Sequence, residues 1–248
     1  MARSFTGSTV MASAANIAEQ IGALTVCCWA KYSALRSTTN KSNTLVNQAF
    51  NTFSWGDETF SLSLDGSKFM RLCWYATGLA DEFTVSTSAA SVNSGEWHHY
   101  CVTRSSGSTP TVKFYLDGVQ LGTNVTATTA AGSFGSRELR IGGGNTSADS
   151  STGWQGDIAE VGIWSSVLST EIAALALGRP PGFFHTNLIA AIPLRGTTSN
   201  ESIEGQSTTM VLNGTSASDG PSQLNYLSSA PTEQLGSIPL HEVEVCPY

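Results

Sequence analysis

The hydrophobic residues of this chain recur mostly at every second position, which is the spacing of β-strands. Residues 24–35, LTVCCWAKYSAL, are instead apolar on both alternating faces, as in a strand that is covered on two sides. Residues 59–76 alternate, turn at Asp65-Gly66 and then alternate again, which predicts a β-hairpin. The pattern therefore predicts a central strand and a hairpin that follows it in sequence.

A second hairpin is predicted over residues 111–123, TVKFYLDGVQLGT. Three apolar residues at alternate positions precede Asp117-Gly118, and Val119 and Leu121 continue the alternation. Aspartate and glycine are residue types that adopt the positive φ angles of a two-residue type I′ turn. We therefore expect the two strands to meet at residues 117 and 118.

One short helix is predicted, directly after a strand that runs from Ile158 to Trp164. Ser169 is a favourable N-cap residue, and Glu171 lies in the first turn, where an acidic side chain is stabilising. Gly178 and the two prolines that follow end the helix.

The rest of the chain divides into closing strands and a tail. Residues 182–227 are predicted to complete the sandwich with strands at 188–194 and 209–215. After residue 227 the apolar content is too thin for a core. We therefore predict one β-domain over residues 1–227 and an extended C-terminal arm over residues 228–248.

Within the arm, the HEVEV sequence places apolar and acidic residues on opposite faces of an extended segment. A segment of this kind can pair with the edge of a sheet in a neighbouring subunit. The alternative is an unpaired terminus. The residues predicted to carry assembly are Leu240, His241, Val243 and Val245.

Composition agrees with an all-β chain and excludes some partners. Of the 248 residues, 12% are charged and 24 are glycine, which suits short strands joined by polar turns. The net charge is −7, and Lys and Arg form no run, so no nucleic-acid partner is expected. No apolar stretch has the length of a signal peptide or a membrane span. We expect no membrane partner, no signal peptide and synthesis in the cytoplasm.

The cysteines are predicted to be free. The chain has five, with one adjacent pair and no CxxC spacing. Four of them lie in apolar, strand-like runs and are expected to be buried thiols that pack as small hydrophobic residues rather than a disulfide framework. These are Cys27, Cys28, Cys73 and Cys101.

Residues 96–104, EWHHYCVTR, contain two of the four histidines. His99 and Cys101 share one strand face, so a metal pair is one interpretation, although no third ligand lies at a fixed spacing. The other interpretation, which we favour, is that this is an inner strand in which Trp97 and Tyr100 are packing residues.

Several motifs in order resemble the laminin-G-like, concanavalin A-like jelly-roll domains. A W-H-H strand precedes an LDG hairpin, and an IG strand and a final strand–helix segment follow, over about residues 3–178. The resemblance implies an all-β fold, a jelly-roll sandwich of two antiparallel sheets with one short helix, here with the extended C-terminal arm added. The motifs are GEWHHYCVTR, VKFYLDGVQLGT, LRIGGG and WQGDIAEVGIWSSVLSTEIAAL, and the opening SFTGSTV resembles the family's first strand.

The resemblance also implies roles for single residues. Trp97 and His98 or His99 would be structural parts of the inner strands. Glu160 matches the acidic residue of the family's I-D-E-V motif and is expected to bind backbone or a basic group. Ala159 stands where the family commonly has Asp, so no acidic role is transferred to that position.

Some relatives bind calcium through Asp and Asn side chains in loops. Here the loop 142–153 offers Asn145 and Asp149, whereas calcium takes about 6–8 oxygen ligands. We therefore expect no cofactor, and calcium at these two residues is the alternative.

Catalysis is not expected. Glycosidases need two carboxylates held about 5–10 Å apart across a cleft. The adjacent acidic residues at 57–58 and at 81–82 point to opposite faces or lie in turns, and Glu242 and Glu244 lie in the arm. No G-x-S-x-G, P-loop or H-E-x-x-H motif is present.

Two function classes fit these observations. Residues 187–224 resemble the segment that follows such jelly rolls in proteins of tailed bacteriophages, with Ile192 in place of the usual Trp. This resemblance favours a structural virion protein, either a capsid decoration or tail-associated, that is assembled in the host cytoplasm and lies on the virion surface. Its partners would be other virion proteins and copies of itself.

The second class is a carbohydrate-binding module or adhesin without a virion role. Aromatic side chains near turns would stack on sugar rings, or else pack in the core, because each also lies in strand-like sequence. The two classes are compatible, since a virion protein can also bind cell-surface glycans. The candidate glycan-binding residues are Trp55, Trp74, Tyr75 and Trp154.

Overall fold

The structure is a computed structural model, and it describes most of the chain up to residue 222. The described residues are 1–7, 11–17, 22–36, 43–49, 58–75, 81–133, 137–143, 153–195, 200–204, 209–212 and 215–222.

Strands dominate the described residues, with one α-helix, α1 (Glu171–Ala176), and one short 3₁₀ turn at Pro181–Phe183. The strands are β1 (Ala2–Thr6), β2 (Met11–Ile17), β3 (Leu24–Tyr32), β4 (Thr44–Ala49), β5 (Glu58–Leu64), β6 (Met70–Tyr75), β7 (Asp81–Val85), β8 (His98–Arg104), β9 (Thr111–Leu116), β10 (Val119–Gln120), β11 (Val125–Thr126), β12 (Arg137–Ile141), β13 (Gln155–Trp164), β14 (Leu188–Ile192), β15 (Asn200–Ser202), β16 (Thr209–Val211) and β17 (Ser216–Ser218).

The strands form two sheets. The first has nine strands in the order β10-β9-β8-β3-β13-β1-β17, with β11 also on β9 and β14 also on β13. The second has eight strands in the order β15-β16-β2-β12-β4-β5-β6-β7. The ladders between these strands are antiparallel, and one apolar core contains residues of both sheets. The predicted two-sheet antiparallel sandwich is confirmed.

The central position of β3 explains its apolar sequence. It lies between β8 and β13 in the nine-stranded sheet. Val26, Cys28 and Ala30 face the core between the sheets, whereas Cys27 and Trp29 belong to two apolar clusters on the outer face. Both faces are covered, as the pattern predicts.

Strand β13 changes partner at a bulge. Its first half pairs with β1 and its second half with β14, while β3 lies along its other side. The register shifts between Ala159 and Gly162, and Glu160 between them has a positive φ of 51°. The bulge lets one long strand hold two shorter strands on the same side.

Both predicted hairpins are present. In the β9–β10 hairpin, Leu116 pairs with Val119, and Asp117 and Gly118 have φ angles of 51° and 82°, as a type I′ turn requires. In the β5–β6 hairpin, Leu64 pairs with Met70, so its loop is longer than the Asp65-Gly66 pair of the sequence pattern.

The helix forms where predicted, but its N-cap is Thr170 rather than Ser169. The Ser169 N–H instead donates to the Glu171 carboxylate over 3.0 Å, so an acidic side chain in the first turn satisfies this donor. The helix ends at Ala176. Gly178, two residues later, has a φ of 91°, and its N–H bonds back to the Leu175 carbonyl in a Schellman pattern.

Helix α1 covers part of the outer face of the nine-stranded sheet. Cys27, Cys101 and Trp164 on the sheet form a buried cluster with Ile172 and Leu175 of the helix. The cysteines at 27, 28, 73 and 101 are free and buried, which confirms the prediction for these four.

The closing strands are also observed. Strand β14 falls within the predicted strand 188–194, and β16 and β17 lie at the predicted strand 209–215 and just after it. In the part of the chain that the structure describes, no helix is long and apolar enough to span a membrane. The arm at 228–248 lies outside the described residues, so the division of the chain at residue 227 stays a prediction.

Candidate functional site

Two of the predicted glycan-binding tryptophans lie in the core. Trp74 and Trp154 are 0% exposed. The Trp154 ring packs against Tyr32 and Tyr100, with ring centroids 6.4 Å away in each case. A buried indole offers no ring face to a sugar, so the structure gives these two residues the packing role that was the alternative. Tyr75 is half-buried, and Trp55 lies outside the described residues.

The predicted metal and assembly residues also lie outside the described residues, and they stay predictions. Within the described ranges, no group of three or more His, Cys, Asp or Glu side chains is arranged to hold a metal ion. The residues outside those ranges are Asn145, Asp149, Leu240, His241, Val243 and Val245.

His99 occupies a packing site. Its side chain is 1% exposed, and its ring centroid lies 5.6 Å from that of Trp29. Burial lowers the pKa of His99 to about 4, and the Asp117 carboxylate only partly opposes this shift. The ring is therefore neutral near pH 7, and it packs on an aromatic side chain on the face that it shares with Cys101.

His98 anchors the β9–β10 turn. Its Nδ1 donates to Asp117 Oδ2 over 2.7 Å, and the His99 backbone N–H donates to Asp117 Oδ1 over 2.8 Å. The hydrogen bond to the Asp117 carboxylate raises the pKa of His98. Of the two adjacent histidines, one therefore holds a turn and the other packs in the sheet.

An open groove of about 320 Å³ lies at the end of β3, on the side that faces the loop 93–96. Its charged residues are Lys31 of β3 and Asp157 of β13. Phe5 and Tyr32 also line it, but they are 3% and 6% exposed and belong to the core between the sheets. We refer to this cavity as the Lys31 groove.

Lys31 and Asp157 form an ion pair in the groove. Lys31 Nζ lies 2.7 Å from Asp157 Oδ2, and the two side chains are 27% and 10% exposed. The same Nζ lies 5.3 Å from the ring centroid of the half-buried Trp97. The ammonium is thus held between a carboxylate and an aromatic ring.

The register of the sheet extends this pair into a polar row. Asp157 lies directly opposite Lys31 on one side and opposite Ser4 on the other. Ser216 lies opposite Ser4 on the next strand. Residues directly opposite each other in a ladder project from the same face, and neighbouring strands are about 4.8 Å apart. An ammonium, a carboxylate and two hydroxyls therefore follow one another across four strands.

The loop 93–96 closes one side of the groove. The Gly95 N–H donates to the Tyr32 carbonyl over 2.9 Å, and Ser94 Oγ donates to the Ser33 carbonyl over 2.9 Å. Ser33, Ser94 and Gly95 all line the groove. These bonds fix the wall through the backbone of β3 and leave the lone pairs of the Ser94 hydroxyl free to accept a bond.

Sequence reasoning did not find this groove. Its residues come from β1, β3, β13 and a loop, and only the strand register brings them together. One signal was present, because Lys31 is the single charge in the otherwise apolar run 24–35. A charge on the covered central strand of a sheet needs a partner, and that partner is Asp157.

Comparison with known proteins identifies the family of the fold. The family model of the concanavalin A-like lectin/glucanases superfamily matches residues 5–173. A search among curated proteins finds no match.

The solved structures that are similar in fold to this chain include a pentraxin and two proteins described as carbohydrate-binding. A candidate carbohydrate-binding protein from Bacteroides ovatus has a TM-score of 0.61 at 14% identity, over 90% of this chain and 61% of that one. A heptameric SAP-like pentraxin from Limulus polyphemus has a TM-score of 0.51 at 18% identity, over 71% and 81%. The CBM40 domain of the Ruminococcus gnavus IT-sialidase, bound to α2,3-sialyllactose, has a TM-score of 0.50 at 15% identity, over 64% and 84%.

The family model covers more than half of the chain, and it spans the motifs on which the sequence resemblance rests. The chain belongs to the concanavalin A-like lectin/glucanases superfamily.

Proposed function

We propose that this protein is a non-catalytic carbohydrate-binding module and that the Lys31 groove is its binding site. The observation that carries the proposal is the polar row of Ser4, Asp157 and Lys31 at the mouth of an open groove. Small-molecule sites combine an apolar lining with a few polar groups that fix the orientation of the ligand. The groove has the polar groups, and the half-buried ring of Trp97 beside Lys31 provides an apolar surface next to them.

The chemistry of the row suits sugar hydroxyls. A hydroxyl both donates and accepts hydrogen bonds, so it needs donors and acceptors side by side. Lys31 keeps two of its three N–H donors after binding Asp157, and the carboxylate keeps further lone pairs. The half-buried ring of Trp97, whose centroid lies 5.3 Å from Lys31 Nζ, supplies apolar surface beside the row for the C–H face of a sugar ring.

The same residues favour binding over hydrolysis. Hydrolysis of a glycosidic bond requires two carboxyl groups about 5–10 Å apart. Among the described residues that line the groove, Asp157 is the one carboxylate, and it is tied to Lys31. A lone, ion-paired carboxylate has no second group to act as acid or nucleophile.

The similar structures support the proposal. One is a candidate carbohydrate-binding protein, and another is a carbohydrate-binding module with a bound sialyllactose. They share the fold with this chain at low identity. They therefore favour a carbohydrate as the ligand but carry no information on which residues of this chain bind it.

The test is a glycan array followed by titration calorimetry on the best ligand. We expect saturable binding that weakens at least tenfold in Lys31→Met. Lys113→Gln is the control. Lys113 lies in the same sheet and pairs with Thr103, which in turn pairs with Thr25 of β3. Thr25 is six residues from Lys31, so Lys113 lies away from the groove. Absence of saturable binding to any glycan would contradict the proposal. Equal losses of glycan affinity in the two variants would show that the Lys31 groove is not the binding site.

We further propose that the module is a structural component of a bacteriophage particle, as a capsid decoration or tail-associated protein on the virion surface that is assembled in the host cytoplasm. The support is the resemblance of residues 187–224 to the segment that follows jelly rolls in tailed-phage proteins. The partners would then be other virion proteins and copies of this chain, with the arm at 228–248 as the link.

Co-sedimentation tests the virion role. The full chain is expected to sediment with the particle, and a chain that lacks residues 228–248 is expected to remain in the supernatant with an unchanged melting temperature. If deletion leaves sedimentation unchanged, the arm is not the link. If the full chain does not sediment with the particle, the virion role is wrong.

A further inference from the structure

We propose that the Lys31 groove selects uncharged sugars over anionic ones, and that the Lys31–Asp157 ion pair is the residue pair that sets this selectivity. The inference rests on the proposed carbohydrate-binding function and adds the class of ligand to it. It follows from the charge and the hydrogen-bonding capacity of the groove.

The described lining of the groove offers an anion no unpaired positive charge. Among the described residues that line it, Lys31 is the one cation, and the 2.7 Å contact with Asp157 makes the pair neutral. The indole of Trp97 holds the ammonium from a second side at 5.3 Å. An anionic ligand that bound Lys31 would have to break its ion pair with Asp157. The Asp157 side chain, which is 10% exposed, would then have no partner for its charge. Leaving a largely buried charge without its partner is strongly unfavourable.

Two hydrogen-bonding groups of the groove, Ser94 and Asp157, can only accept a hydrogen bond from a ligand. The hydrogen of Ser94 Oγ is directed to the Ser33 carbonyl over 2.9 Å, so this hydroxyl faces a ligand as an acceptor. Asp157 accepts only. A sugar hydroxyl can donate to both groups, whereas a carboxylate or sulfate has no hydrogen to donate. A neutral, hydroxyl-rich ligand therefore fits where an anion does not.

Two backbone N–H groups of the lining, of the kind that often binds anions at loops, already have partners. The Gly95 N–H donates to the Tyr32 carbonyl over 2.9 Å, and the Ser33 N–H donates to the Gln155 carbonyl over 2.8 Å. Glu96 follows Gly95 directly, with a side chain that is 56% exposed. Arg36 lies beside Gly7 and Gln155 and is not among the described residues that line the groove.

The experiment compares one neutral and one sialylated oligosaccharide of the same core by calorimetry. Wild type is expected to bind the neutral sugar at least tenfold more tightly. Asp157→Asn frees the charge of Lys31 at constant shape, so the preference is expected to fall at least fivefold. Asp219→Asn, which removes an exposed carboxylate outside the groove, is the control and is expected to keep the wild-type ratio.

A second variant keeps the test valid if Asp157→Asn does not fold. In Lys31→Gln/Asp157→Asn the ion pair is removed and no free cation replaces it, so the preference for the neutral sugar is expected to be smaller than in wild type and larger than in Asp157→Asn. An unchanged ratio in this double variant would equally overturn the role of the pair. Tighter binding of the sialylated sugar by wild type, or an unchanged ratio in Asp157→Asn, would overturn the selectivity while carbohydrate binding stands. Binding of neither sugar, with a flat glycan array, would overturn both proposals.

Discussion

Glu160 and Arg195 form an ion pair at the bulge of β13, with Arg195 Nε 2.7 Å from Glu160 Oε1. The Glu160 side chain is 2% exposed and that of Arg195 is 34% exposed. Glu160 also holds a positive φ of 51°, so its backbone and its side chain are both constrained at the point where β13 exchanges β1 for β14. Glu160 was predicted to bind backbone or a basic group, and in the structure it binds the guanidinium of Arg195.

Removal of the two partners of this ion pair is expected to cost different amounts of stability. Arg195→Met leaves a buried carboxylate without this partner, and we expect a loss of about 1–3 kcal/mol in the free energy of unfolding, because Arg195 is partly exposed and the pair is partly screened. Glu160→Gln keeps a neutral acceptor for Arg195 and is expected to lose less. Urea denaturation of both variants measures the difference. A larger loss in Glu160→Gln would mean that the pair is not the main role of Arg195.

The β9–β10 turn gives a second prediction. Gly118 has a φ of +82°, and a Cβ there would lie 3.0 Å from the Ala176 Cβ of helix α1. Gly95 has nearly the same φ, +83°, with no heavy atom within 4 Å of a Cβ. Both alanine variants are expected to lose about 1–2 kcal/mol from the left-handed conformation.

The contact with the helix should separate these two variants. Gly118→Ala is expected to melt at a lower temperature than Gly95→Ala, because only Gly118 also meets a side chain that must move. Differential scanning calorimetry measures both. Equal melting temperatures would show that α1 yields freely to the added methyl group.

Strand periodicity was enough to predict the fold but not the groove. The apolar run of β3 and the Asp117-Gly118 turn are local signals, because alternation and turn chemistry act within a few neighbouring residues. Ser4, Lys31 and Asp157 lie far apart in sequence and meet only through the ladders of β1, β3 and β13. Burial of Trp74 and Trp154 likewise depends on which strand faces which sheet, and a single strand-like stretch does not contain that information.

His99 makes stability depend on pH. Its folded pKa of about 4 lies below its ordinary value of 6.5, so the unfolded chain binds a proton that the folded chain does not. Stability contributed by the neutral ring is complete above pH 6.5 and is lost as the pH falls toward 4. The expected loss is on the order of 3 kcal/mol across this window.

A variant isolates this effect from other titrating groups. His99→Phe keeps an aromatic ring against Trp29, and its backbone N–H can still donate to Asp117. The free-energy difference between His99→Phe and wild type is expected to grow in favour of the variant between pH 6.5 and pH 4. The raised pKa of His98 acts in both proteins and cancels. A pH-independent difference would show that folding does not lower the pKa of His99.

The last prediction separates packing from recognition at Trp154. Its indole is 0% exposed and packs between Tyr32 and Tyr100, so Trp154→Ala creates a cavity and is expected to cost about 3–5 kcal/mol. Trp154→Phe keeps a ring between the two tyrosines and is expected to cost clearly less. Because the ring does not line the Lys31 groove, both variants are expected to bind glycan with the wild-type affinity at temperatures where circular dichroism shows them folded. Loss of glycan binding in folded Trp154→Phe, with Lys31→Met unaffected, would instead place the sugar at Trp154 and require that part of the core to open.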